Sequence, residues 1–525
     1  MITADTPTDP AAAAERVAAL RRRLQARHGE VPLIETHISW VLLAGDHAYK
    51  LKKPVRFGFL DFSTPALRQR FCAEELRLNR RLAPALYLGV VPVRAGRGGP
   101  SLHGRGPVVD YAVKMNRMAP HALASERLAL GRLTAQDLAR FGTRLAAFHA
   151  QAAVASVDSG YGSPARIRDD ALQAVDRLAA LAEPAACARL RAWFEAQAHR
   201  LWPRWQARLA AGRVREGHGD LHLDNVVLQG EEVTAFDCIE FDPALRWIDV
   251  VNDAGFLLMD LLAHGRGDLG FAFLDAWLVT GGDHDGLDLL RFYLVYRAVV
   301  RALVTTLRGG PAPGAPDAAA YLALAERLTA PPAPALLITH GLPASGKTRL
   351  TDALLQRAGA VRLRSDVERK RLAGLAPLAD SRQRGDLYTA AATDATYSHL
   401  ATLARQALAA GWPVIVDAAF LRRDQREAFR ALAATMGLRL AILDCQAPLA
   451  VLRQRVRDRL ARGDDASEAD ESVLDLLAAR QEPLADDERA HTIAVRTDQA
   501  VDEDALLSGW LGPMRGGASP PAAAG

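Results

Sequence analysis

Lysine is nearly missing from this chain: only six of its 65 basic residues are lysine (Lys50, Lys52, Lys53, Lys114, Lys347 and Lys370), the rest being arginine. A lysine that persists inside a motif therefore carries information. Cysteine is equally sparse. The four cysteines (Cys72, Cys187, Cys238, Cys445) lie far apart with no C-x-x-C pair, which excludes a disulfide framework and a cysteine zinc site and fits reduced cytosolic thiols. The opening MITADTPTDP lacks the basic-then-apolar order of a secretory signal. The best apolar stretch, GFLLMDLLAHG, is broken by Asp260 and too short to span a bilayer. Net charge is only +4 and aromatics make up 6%; neither a basic field nor an aromatic-basic stripe points to nucleic acid or an anionic membrane. No repeat at solenoid or propeller period is present. The expectation is a soluble, cytoplasmic protein.

What is there is ordinary globular material, with 50% hydrophobic and 24% charged residues. Its 525 residues correspond to roughly three folding units at ~150 residues each. Pro and Gly punctuate the chain between Gly309 and Pro334, on either side of a short helical pattern from Asp317 to Thr329, so a boundary is placed near 331–335. The expected division is an extension over 1–24, a first domain over 25–310, a linker over 311–334, a second domain over 335–512 and a disordered Gly/Pro/Ala tail over 513–525.

In the first domain, strand-like alternation around a Gly45–Asp46 turn precedes a helix from Thr64 to Leu82 and two further strands. Helical spacing then dominates from Ala124 onward, interrupted by a hairpin around Gly230–Glu231. This predicts a small mixed lobe ahead of a helical one, an α+β arrangement. In the second domain strands and helices alternate from ALLITH to LRLAILDC, which predicts an α/β fold with a parallel sheet.

Residues 341–348 read GLPASGKT, a complete G-x-x-x-x-G-K-[ST] between an apolar strand and a helix. Glycines at 341 and 346 let the backbone curl so that N–H groups face phosphate oxygens, with the helix N-terminus adding its positive end. The loop set is Gly341, Ser345, Gly346, Lys347 and Thr348, with Arg349 next; Lys347 would bridge the β- and γ-phosphates and Thr348 would ligate Mg²⁺. Asp417 closes the strand PVIVD and is the candidate to hold the same metal. Asp366, after the second strand and three residues before Arg369, can take a proton from an acceptor hydroxyl, or serve only as a helix cap. In VLRQRVRDRLAR the arginines 453, 455, 457, 459 and 462 are candidate lid cations, with Arg453 and Arg457 chosen for the nucleotide; a solvated basic face is the alternative.

A second phosphate motif stands upstream. HGDLHLDN (His218–Asn225) satisfies H-x-D-x-x-x-x-N, and Asp237 follows twelve residues later. Asp220 would orient the acceptor's hydroxyl with His218 in the same loop, while Asn225 and Asp237 would hold Mg²⁺. A hydrolase metal face built from His218, Asp220, His222 and Asp224 is the rival, but the other histidines form no matching set. AYKLKKPV supplies a phosphate lysine, Lys50 being deepest in the strand, and Glu74 or Glu75 can pair with it, Glu75 being chosen. Lysines protecting an edge strand are the alternative.

On these residues, the region from about 25 to 310 resembles the aminoglycoside-phosphotransferase-like family of the protein-kinase-like fold. The resemblance implies that His218, Asp220 and Asn225 form the catalytic loop, that Asp237 replaces the metal-binding Asp of kinases and that Asp249 braces that loop. No Gly-rich loop lies between the first strands, only ETHISW. Residues 335–512 resemble P-loop kinases of the gluconate-kinase, chloramphenicol-phosphotransferase and polynucleotide 5′-kinase kind, which implies Asp366 as base. ETHISWVLLAGDHAYKLKKPVRFGFLDFS and RLAPALYLGVVPV together resemble the bifunctional aminoglycoside phosphotransferase/ATP-binding proteins. The function implied is transfer of the γ-phosphoryl of Mg·ATP to a hydroxyl of a small molecule. A nucleotide-sensing protein with an inactive kinase-like half and a nucleic-acid 5′-end kinase are the alternatives. An acidic cleft for a polycationic acceptor would draw on Asp260, Asp268, Asp275, Asp283, Asp285 and Asp288.

Overall fold

The structure is a computed structural model that describes residues 6–58, 60–311, 314–331, 333–381, 385–462 and 465–512. The tail expected over 513–525 lies outside the described residues. Asp9 accepts the N–H groups of Ala11 and Ala12 and starts helix α1 (Pro10–His28). Strands β1 (Leu33–Glu35), β2 (Ser39–Ala44) and β3 (His47–Lys52), helix α2 (Pro65–Asn79), and strands β4 (Tyr87–Arg94) and β5 (Val108–Asn116) follow. The strands form one antiparallel sheet in the order β1-β2-β3-β5-β4. Apolar residues of α1 (Ala13, Leu20) pack with Trp40 and Leu51, while Cys72 of α2 packs with Tyr87 and Val113 in a separate cluster.

The second lobe is helical: α3 (Ala135–Gln151), α4 (Pro164–Ala179), α5 (Pro184–Ala210), α6 (Val250–Ala263), α7 (Gly267–Gly281), α8 (Leu287–Leu307) and α9 (Ala318–Thr329). The hairpin β6 (Val226–Gln229) and β7 (Glu232–Ala235) crosses it, with Val226 opposite Ala235. Asp317 caps α9, which packs along α8 inside the segment expected to be a linker.

The last part contains β8 (Ala335–His340), α10 (Lys347–Ala358), β9 (Val361–Arg364), α11 (Ser365–Leu372), α12 (Ala390–Ala409), β10 (Val414–Asp417), α13 (Arg423–Thr435), β11 (Arg439–Gln446), α14 (Leu449–Arg462), α15 (Glu471–Arg480), β12 (Thr492–Arg496) and α16 (Glu503–Leu511). Its five strands are all parallel, in the order β9-β10-β8-β11-β12. Placing β8 in the middle sends its C-terminal loop to the crest of the sheet, where such folds bind ligands. One apolar core runs without a break from Phe141, Trp277 and Leu294 of the helical lobe into Leu336, Ile338 and Val416 of the parallel sheet. Among the described residues no helix is long and apolar enough to cross a membrane.

Candidate active sites

The first site is assembled from five separate segments. Lys50 on β3 reaches Glu75 of α2 at 2.8 Å and also pairs with Asp237. Burial alone would depress the lysine, yet the charges of Asp237 and Glu75 hold its pKa above the ordinary value. Glu75 is fully buried and bridges a second lysine, Lys52, at 2.6 Å; Lys52 pairs in turn with Glu240. Burial raises the Glu75 carboxyl, but Lys50 and Lys52 outweigh it and leave the net shift downward. Period-2 alternation puts both lysines on one face of β3. Glu74, the other sequence candidate, instead pairs with Arg77 and Arg246.

The loop after Glu216 brings in the rest. Asn225 donates its Nδ2 to the Asp220 carbonyl at 2.9 Å and to Asp220 Oδ2 at 3.3 Å, which commits the amide nitrogen and leaves Oδ1 as an acceptor. Pairing of Val226 with Ala235, extended by the Phe236 N–H to Asn225 carbonyl bond (3.0 Å), sets Asp237 beside that loop. Asp237 adopts φ 63, a left-handed conformation costly for a side chain and maintained here by its surroundings. Burial works against the Asp220 charge, but His222 at 3.3 Å and more distant cations hold its pKa well below the usual range. His218 lies in the same loop, its ring completely buried with Nε2 on the Phe236 carbonyl at 2.9 Å, where it braces the loop.

The bracing carboxylate is not Asp249, the one the resemblance implies. Asp249 caps α6 and makes a bidentate pair with Arg208 (2.7 Å for both bonds). Asp253, one helical turn on, accepts the N–H groups of His218 (2.8 Å) and Gly219 (2.9 Å). Asp260 takes the Leu223 N–H at 2.9 Å. Asp253 went unnamed in the sequence because only the start and direction of α6 decide which carboxylate of this run faces the loop. Between β1 and β2, where a Gly-rich loop would grip phosphates, Thr36 Oγ1 takes the Ser39 N–H at 3.0 Å and closes the turn.

The acidic cleft does not form. Asp260 is buried under Tyr321, Asp283 is bound to Arg208, Asp268 to Arg266, Asp275 to Arg362, and Asp285 and Asp288 both pair with Arg204. Arginines neutralise five of these six carboxylates directly.

The second site is the loop between β8 and α10. Gly341 has φ 139, and a Cβ there would lie 2.5 Å from the Cys445 carbonyl oxygen; Gly346 has φ 87. Lys347 folds back on its own loop, donating to the carbonyls of Gly341 (2.9 Å) and Leu342 (2.8 Å) and to Ser345 Oγ (3.4 Å). Burial lowers its pKa. Thr348 Oγ1 donates to Asp417 Oδ2 at 2.9 Å, which brings together the two groups expected to hold metal. Asp366 opens α11 and makes no hydrogen bond or ion pair among the described residues, whereas Arg369 turns away to the Leu387 carbonyl. Arg349 is exposed on the first turn of α10.

The arginines of α14 face two ways. Arg453 and Arg457 face α15, bound to Asp475 (2.9 Å) and Glu471 (3.0 Å), half-exposed and away from the loop. Arg455 reaches the Ala344 carbonyl at 3.4 Å and Thr497 at 2.7 Å, and Arg459 stands near enough to Lys347 to depress it further. Residues four apart share a helix face, so 453/457 and 455/459 form two stripes; the sequence could reveal the stripes but not which one turned inward. Behind the loop, a cavity of about 590 Å³ is lined by His340, Asp444, Gln446, Gln481 and Leu452.

Both sites present hard oxygen donors of the kind Mg²⁺ accepts: a carboxylate with an amide oxygen in one, a carboxylate with a hydroxyl in the other. Comparison with known proteins agrees with the fold. Residues 46–293 match the model of the phosphotransferase enzyme family, and residues 336–484 match that of an AAA domain. The uncharacterized protein Rv2004c of Mycobacterium tuberculosis is 32% identical over 455 residues, covering 85% of this chain and 89% of the relative; Mb2027c of Mycobacterium bovis gives the same figures. Among solved structures, a choline/ethanolamine kinase family protein from Mesorhizobium loti is 16% identical and covers 60% of this chain and 96% of its own, with a TM-score of 0.38. A gluconokinase from Sinorhizobium meliloti 1021 is 19% identical and covers 34% and 89%, with a TM-score of 0.25. Similar to these relatives along most of its length and matching a phosphotransferase model ahead of a P-loop domain, the chain belongs to the bifunctional aminoglycoside phosphotransferase/ATP-binding protein family.

Proposed function

We propose that each half transfers the γ-phosphoryl group of Mg·ATP to a hydroxyl of a small molecule. The observation that carries this reading is the convergence on one spot of Lys50, Glu75 and Asp237, three residues from distant segments. A structural salt bridge needs two of them; a phosphate lysine steadied by a carboxylate beside a metal-binding carboxylate needs all three. In this reading Asp237 and Asn225 hold Mg²⁺ in the first site, and Thr348 and Asp417 hold it in the second. Bound there, the metal neutralises phosphate charge. Asp220 stays ionised at neutral pH and accepts the acceptor's O–H hydrogen bond, aligning the oxygen for attack. Lys347 leaves its loop carbonyls for the phosphates, and Asp366, which makes no hydrogen bond or ion pair among the described residues, is the base candidate there. Arg455 and Arg459, rather than Arg453 and Arg457, supply lid charge.

The acceptor is a neutral or anionic small molecule, since arginines occupy the carboxylates that a polycation would seek. We place the reaction in the cytoplasm, where ATP is available and the four buried free thiols stay reduced. The divisions at 24, 310, 334 and 512 remain part of this proposal. A second reading, with a nucleotide-sensing first half, is favoured by one observation: Thr36 occupies the turn where phosphates would be gripped. A transfer assay with γ-labelled ATP and pooled hydroxyl acceptors separates the two. Label transfer that Asp220→Ala removes supports catalysis in the first half; transfer that only Lys347→Ala removes supports the sensing reading.

A further inference from the structure

Helix α7 lies between the two sites and is held by both. Toward the first, Trp277 Nε1 donates to His149 Nδ1 at 3.1 Å. That fixes the tautomer: His149 carries its proton on Nε2, which meets Asp253 Oδ2 at 3.1 Å, and Asp253 holds the His218 and Gly219 N–H groups of the catalytic loop. Toward the second, Asp275 binds Arg362 of β9 through Nη2 (2.7 Å) and Nε (3.3 Å). The same guanidinium reaches Asp352 at 2.6 Å and, at 3.4 Å, both the Thr348 carbonyl and Thr351 Oγ1. Thr348 and Thr351 both donate to Asp417. Residues two apart on a helix point about 200° apart, so Asp275 and Trp277 face opposite sites from a single rigid rod.

The rod has little freedom. A Cβ on Gly142 of α3 would collide with the Phe273 carbonyl, so the two helices touch backbone to backbone. At its C-terminus Arg371 of α11 donates to the Val279 carbonyl at 2.7 Å, and α11 is the helix that carries Asp366. His149, Asp253, Trp277 and Arg362 are all buried, so water cannot replace a lost partner. Arg362 holds the carbonyl of Thr348, which stands in the same loop as Lys347 and whose hydroxyl rests on Asp417.

We propose that Asp275 and Trp277 are positioning residues that join the two phosphate sites through α7, so that nucleotide held at one site alters affinity at the other. This rests on the reading that both sites bind Mg·ATP. The probe is Mg²⁺ with a non-hydrolysable ATP analogue, titrated calorimetrically into the full chain. Lys347→Ala isolates the first site and Asp237→Ala the second; their single-site constants are compared with the paired constants of the unaltered protein. The expected departure from independence is at least fivefold, in the range of ordinary allosteric coupling. Introduced into all three backgrounds, Asp275→Asn should bring the ratio within twofold of one while both sites still fill. Trp277→Phe, which keeps the ring packing and removes only the indole N–H, should do the same and carries the test if Asp275→Asn does not fold. Independent binding in the unaltered protein, or coupling that persists in the folded variants, overturns the inference alone. A stoichiometry below two overturns the underlying reading and the inference with it.

Discussion

The two candidate sites are built on opposite principles. The loop at 341–348 is a contiguous backbone curl whose donors are main-chain N–H groups and whose lysine, Lys347, rests on its own carbonyls. The upstream site is a set of side chains, with Lys50 separated from Asp237 by 187 residues. Main-chain cradles depend on glycine and tolerate changes around them. Side-chain clusters depend on every bracing partner beneath, here Asp253, His149 and Asp260.

The comparison is broken most forcefully at the lysine and the metal carboxylate. Lys347→Ala should reduce turnover at the loop site by about 10³-fold, and Asp237→Ala should do the same for the first site, each leaving the other's activity measurable in the labelled-ATP assay. Next in size are the braces. Asp253→Asn strips charge from a carboxylate shared by His149 and two loop amides and should cost about 3 kcal/mol of unfolding free energy in denaturant titration, together with loss of transfer at the first site. Asp249→Asn should destabilise through Arg208 yet spare transfer, since Asp249 does not touch the loop. Third, Arg455→Ala should weaken nucleotide at the loop site about tenfold, close to 1.4 kcal/mol, while Arg453→Ala stays within twofold by calorimetry.

The smallest expected effect is on pH. Burial holds the pKa of His218 and His284 below the ordinary value. The unfolded chain therefore takes up these protons first, and stability falls as pH drops through about 6.5. Glu75 and Asp253, depressed in the folded state, add a second loss only below about pH 4. The melting temperature should fall between pH 7 and pH 5.5, less steeply in His218→Asn.

The contrast between the sites also decides what could be read from the chain. The loop was legible in full because a backbone cradle is written in consecutive residues, and Asp417 stood out as the acidic end of the strand PVIVD. Lys50 with Glu75 was legible because alternation and scarcity narrowed the lysines. Three things were not. Choosing Asp253 over Asp249 depends on where α6 begins relative to the loop. That Arg455 rather than Arg453 reaches Ala344 and Thr497 depends on the rotation of α14. The fate of Asp260 to Asp288 depends on arginines brought in from Arg204 to Arg362, contacts that no local pattern encodes. The fold class was legible from periodicity, whereas the continuity of the core across α7 was not, because buried apolar residues do not name their partners.

Equilibrium dialysis of the full chain with a labelled, non-hydrolysable ATP analogue and Mg²⁺ tests the account most directly. Two molecules bound per chain, falling to one in Lys347→Ala and to one in Asp237→Ala, is the predicted result. A single molecule per chain that Lys347→Ala eliminates would contradict it.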